Sequence, residues 1–146
     1  MTDAERPSNT VSLTWEGGFR FESSDTHGHS LTLDAPQSDG ANFEGFMPGD
    51  MLLTALAGCS GIDVVNILER MRQKVDGIEI SVKGHQNPDP PWAYEDIEIH
   101  YAIRGSGLNE HLVRRAIFLS EEKYCSIGAT VGGRARITSN FEIIQT

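Results

Sequence analysis

Met51 to Leu68 reads MLLTALAGCSGIDVVNIL, eighteen residues whose one charged side chain is Asp63. A bilayer core takes about 20 apolar residues to cross. This run is shorter, holds Thr54, Cys59, Ser60, Asp63 and Asn66, and has no Lys or Arg anchor on its N-terminal side. It reads instead as a helix apolar on nearly every face and buried in a protein core. Pro48 suits a first helical position, and Asp50 complements the positive helix N-terminus. Arg70, Arg72 and Lys74 favour the opposite end, and Asp76-Gly77 is the expected stop. A long central helix from Pro48 to about Lys74 follows, with Gly58 or Gly61 as a place to kink.

Upstream of it, Val11, Leu13 and Trp15 alternate with polar residues, Gly17-Gly18 turns the chain, and Phe19 and Phe21 alternate again. His27-Gly28-His29 makes a second turn before Leu31 and Leu33. Period-two alternation bounded by glycine is the signature of a strand meander. Pro36 to Gly45 is a polar loop. Downstream, Ile78, Ile80 and Val82 form one alternating run, and Ile97, Ile99, Tyr101 and Ile103 form another. The loop Asn87-Pro88-Asp89-Pro90-Pro91 lies between them. Asn109 is a good N-cap for a second helix over about Glu110 to Tyr124, with a stripe of Leu112, Val113, Ala116, Ile117 and Ser120. Ile137, Phe141 and Ile143 mark a last strand. The order is βββ-α-ββ-α-β, an α+β fold with a largely antiparallel sheet around the central helix. Residues 1–10 read as a polar tail and residues 11–146 as one domain. A single sheet covers one side of a helix that is apolar nearly all round. A second copy of the chain is the simplest cover for the rest, so a homodimer with that helix near its interface is expected.

Composition narrows the function. The 146 residues are 38% hydrophobic and 23% charged, with a net charge of −9. That composition suits a globular domain, and the acidic balance disfavours nucleic acid and anionic membrane partners. No apolar leader follows Met1, so a cytoplasmic protein with reduced thiols is expected. The five histidines, His27, His29, His85, His100 and His111, fall in no metal-ligating spacing, and P-loop, GxGxxG and GxSxG motifs are absent. Neither a cofactor nor a metal site is expected. Glu121-Glu122 reads as part of a solvated helix face.

Two cysteines remain. Cys59 lies inside the central helix between Gly58 and Ser60-Gly61, and Cys125 where the second helix ends. Cys59 is either a small buried hydrophobe or a redox nucleophile. Asp63, one turn on, counts against a stabilised thiolate. Whether the two cysteines meet in space is left open by the spacing alone.

Pro48-x-Asp50-x-Leu52-Leu53-x-Ala55-x-Ala57-Gly58-Cys59 resembles the first-cysteine motif of the osmotically inducible protein C (OsmC-like) family, which includes the organic hydroperoxide resistance proteins. Glu122-Lys123-Tyr124-Cys125-Ser126 resembles its second. The 66-residue separation and the element order fit from residue 11 onward. Trp15-x-Gly17 and Gly58-Cys59-Ser60-Gly61-Ile62-Asp63-Val64-Val65 look most like a YhfA-like branch. The resemblance implies an intertwined homodimer and a thiol-dependent peroxidase acting on organic hydroperoxides or hydrogen peroxide in oxidative-stress defence. In that reading Cys59 becomes a sulfenic acid, Cys125 resolves it to a disulfide, and an external dithiol reduces the bridge. In the hydroperoxide-resistance branch an early-strand Arg and a Glu at the helix start flank the sulfur. Those positions fall here on Phe19 and Gly49. Arg20 and Asp50, one residue on, are the candidates to take their place. The alternative reading is a non-catalytic dimer that binds a small molecule or senses redox state beside Leu52, Leu56 and Cys59.

Overall fold

A computed structural model describes residues 7–38 and 42–146. The first six residues of the expected tail and residues 39–41 of the expected polar loop lie outside the described residues. The fold is α+β and falls into two compact units, one up to Met51 and one from Leu52 to Thr146.

The first unit holds β1 (Val11–Gly17), β2 (Arg20–Asp25) and β3 (Ser30–Leu33), an antiparallel meander in the order β1-β2-β3. Gly17 and Gly18 make the first turn, and Trp15 pairs with Phe21 across it. The second turn is organised by Asp25, whose carboxylate accepts the backbone N–H groups of His27 (2.8 Å) and His29 (2.9 Å) and contacts the His29 ring. His29 thereby holds the Asp25 carboxyl down at about 2. Buried Asp34 closes the sheet's lower end, accepting from the backbone of Ala35 and Glu44. The alternation in β1 marks a strand, as expected. Its apolar face is bare, however: Val11, Leu13 and Trp15 are 63%, 51% and 65% exposed.

The second unit contains most of α1 (Pro48–Arg70), then β4 (Lys74–Gln86), β5 (Tyr94–Ser106), α2 (Glu110–Leu119), a π-helical turn (Ser120–Tyr124), α3 (Ser126–Val131) and β6 (Arg136–Gln145). Its sheet has the order β4-β5-β6, antiparallel between β4 and β5 and parallel between β5 and β6. Two sheets therefore stand where one was expected. The parallel pair is explained by the crossover: α2, the π turn and α3 separate β5 from β6, as parallel pairing requires.

Period two sets the core. Ile97, Ile99, Tyr101 and Ile103 alternate along β5 and are fully buried. They pack with Leu56, Val64 and Leu68 of α1 and with Val113, Ala116 and Ile117 of α2. Asn109 caps α2 as expected, its side chain accepting from the Leu112 N–H at 3.2 Å.

Two expectations for α1 change. The helix ends at Arg70, not near Lys74. Arg72 takes a left-handed φ of 56°, and the Gln73 N–H returns to the Leu68 carbonyl, which closes the end without a glycine. Asp76-Gly77 is no stop, because it sits at a register shift within β4. Within one chain the helix is covered on one side, as expected. By length and composition α1 could cross a membrane, but within the chain one stripe of it, Leu56, Ser60, Val64, Ile67 and Leu68, is buried. Ile62 on another face is 73% exposed.

Candidate active site

Cys59 and Asp63 stand one helical turn apart on α1, on the same face. Cys125 arrives from the other side of the core. The π turn carries it there: its N–H donates to the Ser120 carbonyl at 2.8 Å, five residues back, and the chain then leaves the helix. Such π turns are frequent at functional sites. Cys125 caps α3, with the Gly128 N–H donating to its sulfur at 3.2 Å. A β-carbon at Gly128 would stand 3.2 Å from that sulfur, tighter than ordinary packing allows.

The fold thus joins what the spacing left open. The sulfurs of Cys59 and Cys125 and a carboxylate oxygen of Asp63 all lie within 4.8 Å of one another. Both cysteines are free thiols; Cys125 is buried and Cys59 half-buried. Burial pushes the Cys125 thiol up to about 11, with a hydrogen bond to Cys59 and the nearby Asp63 charge acting the same way.

Beside Asp63 runs a chain of hydroxyls that no sequence pattern announces. The Tyr101 hydroxyl meets Ser60 Oγ. Ser60 Oγ lies 3.2 Å from Ser120 Oγ, and Ser120 donates to Asp63 Oδ2 at 3.1 Å. Ser60 and Ser120 are buried, and the chain satisfies every hydroxyl in it. Burial pushes Tyr101 up to about 12.

A cavity of about 270 Å³ opens beside Cys125. Its apolar lining includes Leu56, Ile99 and Ile137, and Glu121, Glu122 and Arg136 give it a polar side. Glu121-Glu122 is exposed, as expected of a solvated face, but it also borders the site. Arg136 is held by Asp96 at 2.5 Å. The two small residues flanking Cys59 divide their roles. Gly61 admits β4, since a β-carbon there would fall 2.7 Å from Ile80 Cδ1, whereas Gly58 faces open space.

Arg20 and Asp50 belong to the first unit. Arg20 opens β2 and pairs with Glu44 at 3.2 Å, both side chains exposed. Asp50 lies in the first turn of α1, nine residues ahead of Cys59. The carboxylate that the fold groups with both sulfurs is Asp63, which the sequence had marked only as an opposing charge.

Two free thiols, one in the middle of α1 and one capping α3, thus meet at a single spot in an α+β fold. The family model described as "OsmC-like protein" matches residues 38–140. Over 132 residues the chain is 33% identical to Protein YhfA of Escherichia coli K12, covering 90% of this chain and 96% of that one. A hypothetical protein from Aquifex aeolicus superposes with a TM-score of 0.80 at 31% identity, over 94% of this chain and 98% of that one. The organic hydroperoxide resistance protein OsmC of Legionella pneumophila shares the fold, with a TM-score of 0.68 at 14% identity over 96% and 98% of the two chains. This chain belongs to the OsmC-like protein family.

Proposed function

We propose that this protein is a two-cysteine, thiol-dependent peroxidase that reduces organic hydroperoxides or hydrogen peroxide in oxidative-stress defence. Family membership supports a redox or peroxide-related role. The observation that carries the finer reading is the approach of two free sulfurs, 66 residues apart in sequence, to within 4.8 Å. Closing to the 2.05 Å of a disulfide needs at most about 3 Å of movement.

Cys59, the more accessible thiol, attacks the peroxide as its thiolate. The O–O bond breaks, the distal oxygen stays on sulfur as a sulfenic acid, and the alkoxide leaves with a proton as the alcohol. Cys125 then attacks the Cys59 sulfur, water leaves, and the disulfide forms. An external dithiol reduces it in the cytoplasm. Asp63 slows this cycle, because its charge opposes the Cys125 thiolate. The exposed apolar faces of β1 and α1 support a homodimer, in which a second copy covers them. Arg20 and Asp50 are the candidates to assist Cys59 in that assembly.

The test is intact mass after brief exposure of the reduced protein to one equivalent of cumene hydroperoxide. The expected result is loss of two hydrogens mapped to a Cys59–Cys125 bridge. Cys59→Ser should be inert, Cys125→Ser should stop at a trappable sulfenic acid, and Asp63→Asn should form the bridge faster. An unchanged mass over minutes would sink the proposal. A second reading, a dimer that binds a small molecule or senses redox state without turnover, draws on the cavity beside a Cys125 thiol held protonated. In that case Cys59→Ser leaves ligand affinity unchanged.

A further inference from the structure

We propose that Cys59, Asp63 and Cys125 together bind one thiophilic divalent cation of the Zn²⁺ class, with a fourth coordination position left open. No sequence spacing joins Cys125 to Cys59 and Asp63, and it is the fold that brings the three together. Their ligand atoms lie within 4.8 Å of one another. Tetrahedral zinc, with Zn–S bonds of about 2.3 Å and Zn–O bonds of about 2.0–2.2 Å, holds neighbouring ligand atoms roughly 3.5–3.8 Å apart. The site therefore needs to contract by at most about an ångström. Cys59 and Asp63 are four residues apart on one helix face, the separation at which two helical side chains grip one ion.

The surroundings already orient the ligands. The Gly128 N–H donates to the Cys125 sulfur, and the Ser120 hydroxyl donates to Asp63 Oδ2. Ser60 and Tyr101 extend that support into the core. Outer partners of this kind set ligand direction in metal sites. Both sulfurs are thiols in the metal-free chain, and binding would displace both thiol protons into solvent. The cavity beside Cys125 gives an ion a route in. Three protein ligands and one open position is the arrangement of reactive rather than closed structural zinc sites.

The inference uses the same sulfurs as the peroxidase reading but does not require them to react with peroxide. Cation and disulfide exclude each other, since oxidation removes both thiolate ligands.

The experiment titrates the reduced, metal-stripped full chain with Cd²⁺, following the thiolate-to-cadmium absorption band. Zn²⁺ affinity is then measured by competition against a chromophoric chelator. One equivalent per chain is expected. Cys59→Ser and Cys125→Ser should each abolish the saturable band, and the near-isosteric Asp63→Asn should weaken affinity tenfold or more. Absence of a saturable band in the reduced wild-type chain overturns the proposal, as does an Asp63→Asn chain with unchanged affinity. Asp63→Asn separates the two readings by sign, because it should speed disulfide formation while weakening the cation. A reduced, metal-free chain that is inert to peroxide yet binds Cd²⁺ would break the peroxidase reading alone.

Discussion

The two sheets have the same number of strands and the same period-two pattern, yet opposite fates. On β5, Ile97, Ile99, Tyr101 and Ile103 are 0–1% exposed, whereas on β1 Val11, Leu13 and Trp15 keep more than half of their surface in solvent. Alternation creates an apolar face but supplies nothing to cover it. In the second unit the cover comes from α1 and α2, which share one core with β5. Among the described residues, the strands of the first unit, seven, six and four residues long, carry no such layer of their own. The contrast recurs on α1, where Leu56, Val64 and Leu68 are buried while Ile62 is bare.

The largest test of this contrast is a paired truncation. Leu68→Ala should cost about 2–5 kcal/mol by chemical denaturation, because the vacated core collapses only partly. Leu13→Ala in dilute protein should cost under about 1 kcal/mol, as for an exposed side chain. A Leu13→Ala cost equal to that of Leu68→Ala would show that β1 is covered after all. Next is Ile62→Asp. If a second copy sits on the bare face of α1, this change should weaken self-association at least tenfold, about 1.4 kcal/mol, in sedimentation equilibrium. An unchanged association constant would move the interface elsewhere.

Smaller effects probe the polar interior of the second unit. Tyr101→Phe removes the hydroxyl partner of Ser60 and should cost about 1 kcal/mol, since Ser120 still serves Ser60. The Cys125 thiol gives a pH signature. Its folded value, about 11, lies above the ordinary thiol value near 8.5, so the folded chain holds a proton that the unfolded chain has lost. The stabilisation is complete below about 8.5 and disappears as pH rises through 11. Cys125→Ser should flatten that slope in melting temperatures taken from pH 8 to 11. Tyr101, which burial pushes up to about 12, should stay protonated across that range by ultraviolet absorbance.

Much of this was legible in the linear chain. The strand alternations, the Asn109 cap and the apolar run around Cys59 each arise from local chemistry, so each was readable from neighbouring residues. So were the two cysteine motifs. The end of α1 was not, because Arg72 adopts the left-handed turn where a glycine would have announced it. The parallel placement of β6 beside β5 was hidden too, since strand direction is a property of the crossover and not of the strand's own residues.

By itself, then, the sequence determined the elements, their order and the two candidate thiols. Only the tertiary structure decided which polar groups surround them. Asp63, Ser60, Ser120 and Tyr101 come from three separate elements, with Ser60 41 residues from Tyr101 and 60 from Ser120. No periodicity links residues so far apart. Their meeting follows from packing: α1 lies against β5, and the π turn sets Ser120 and Cys125 over the same buried spot, where each hydroxyl must find a partner because water is excluded.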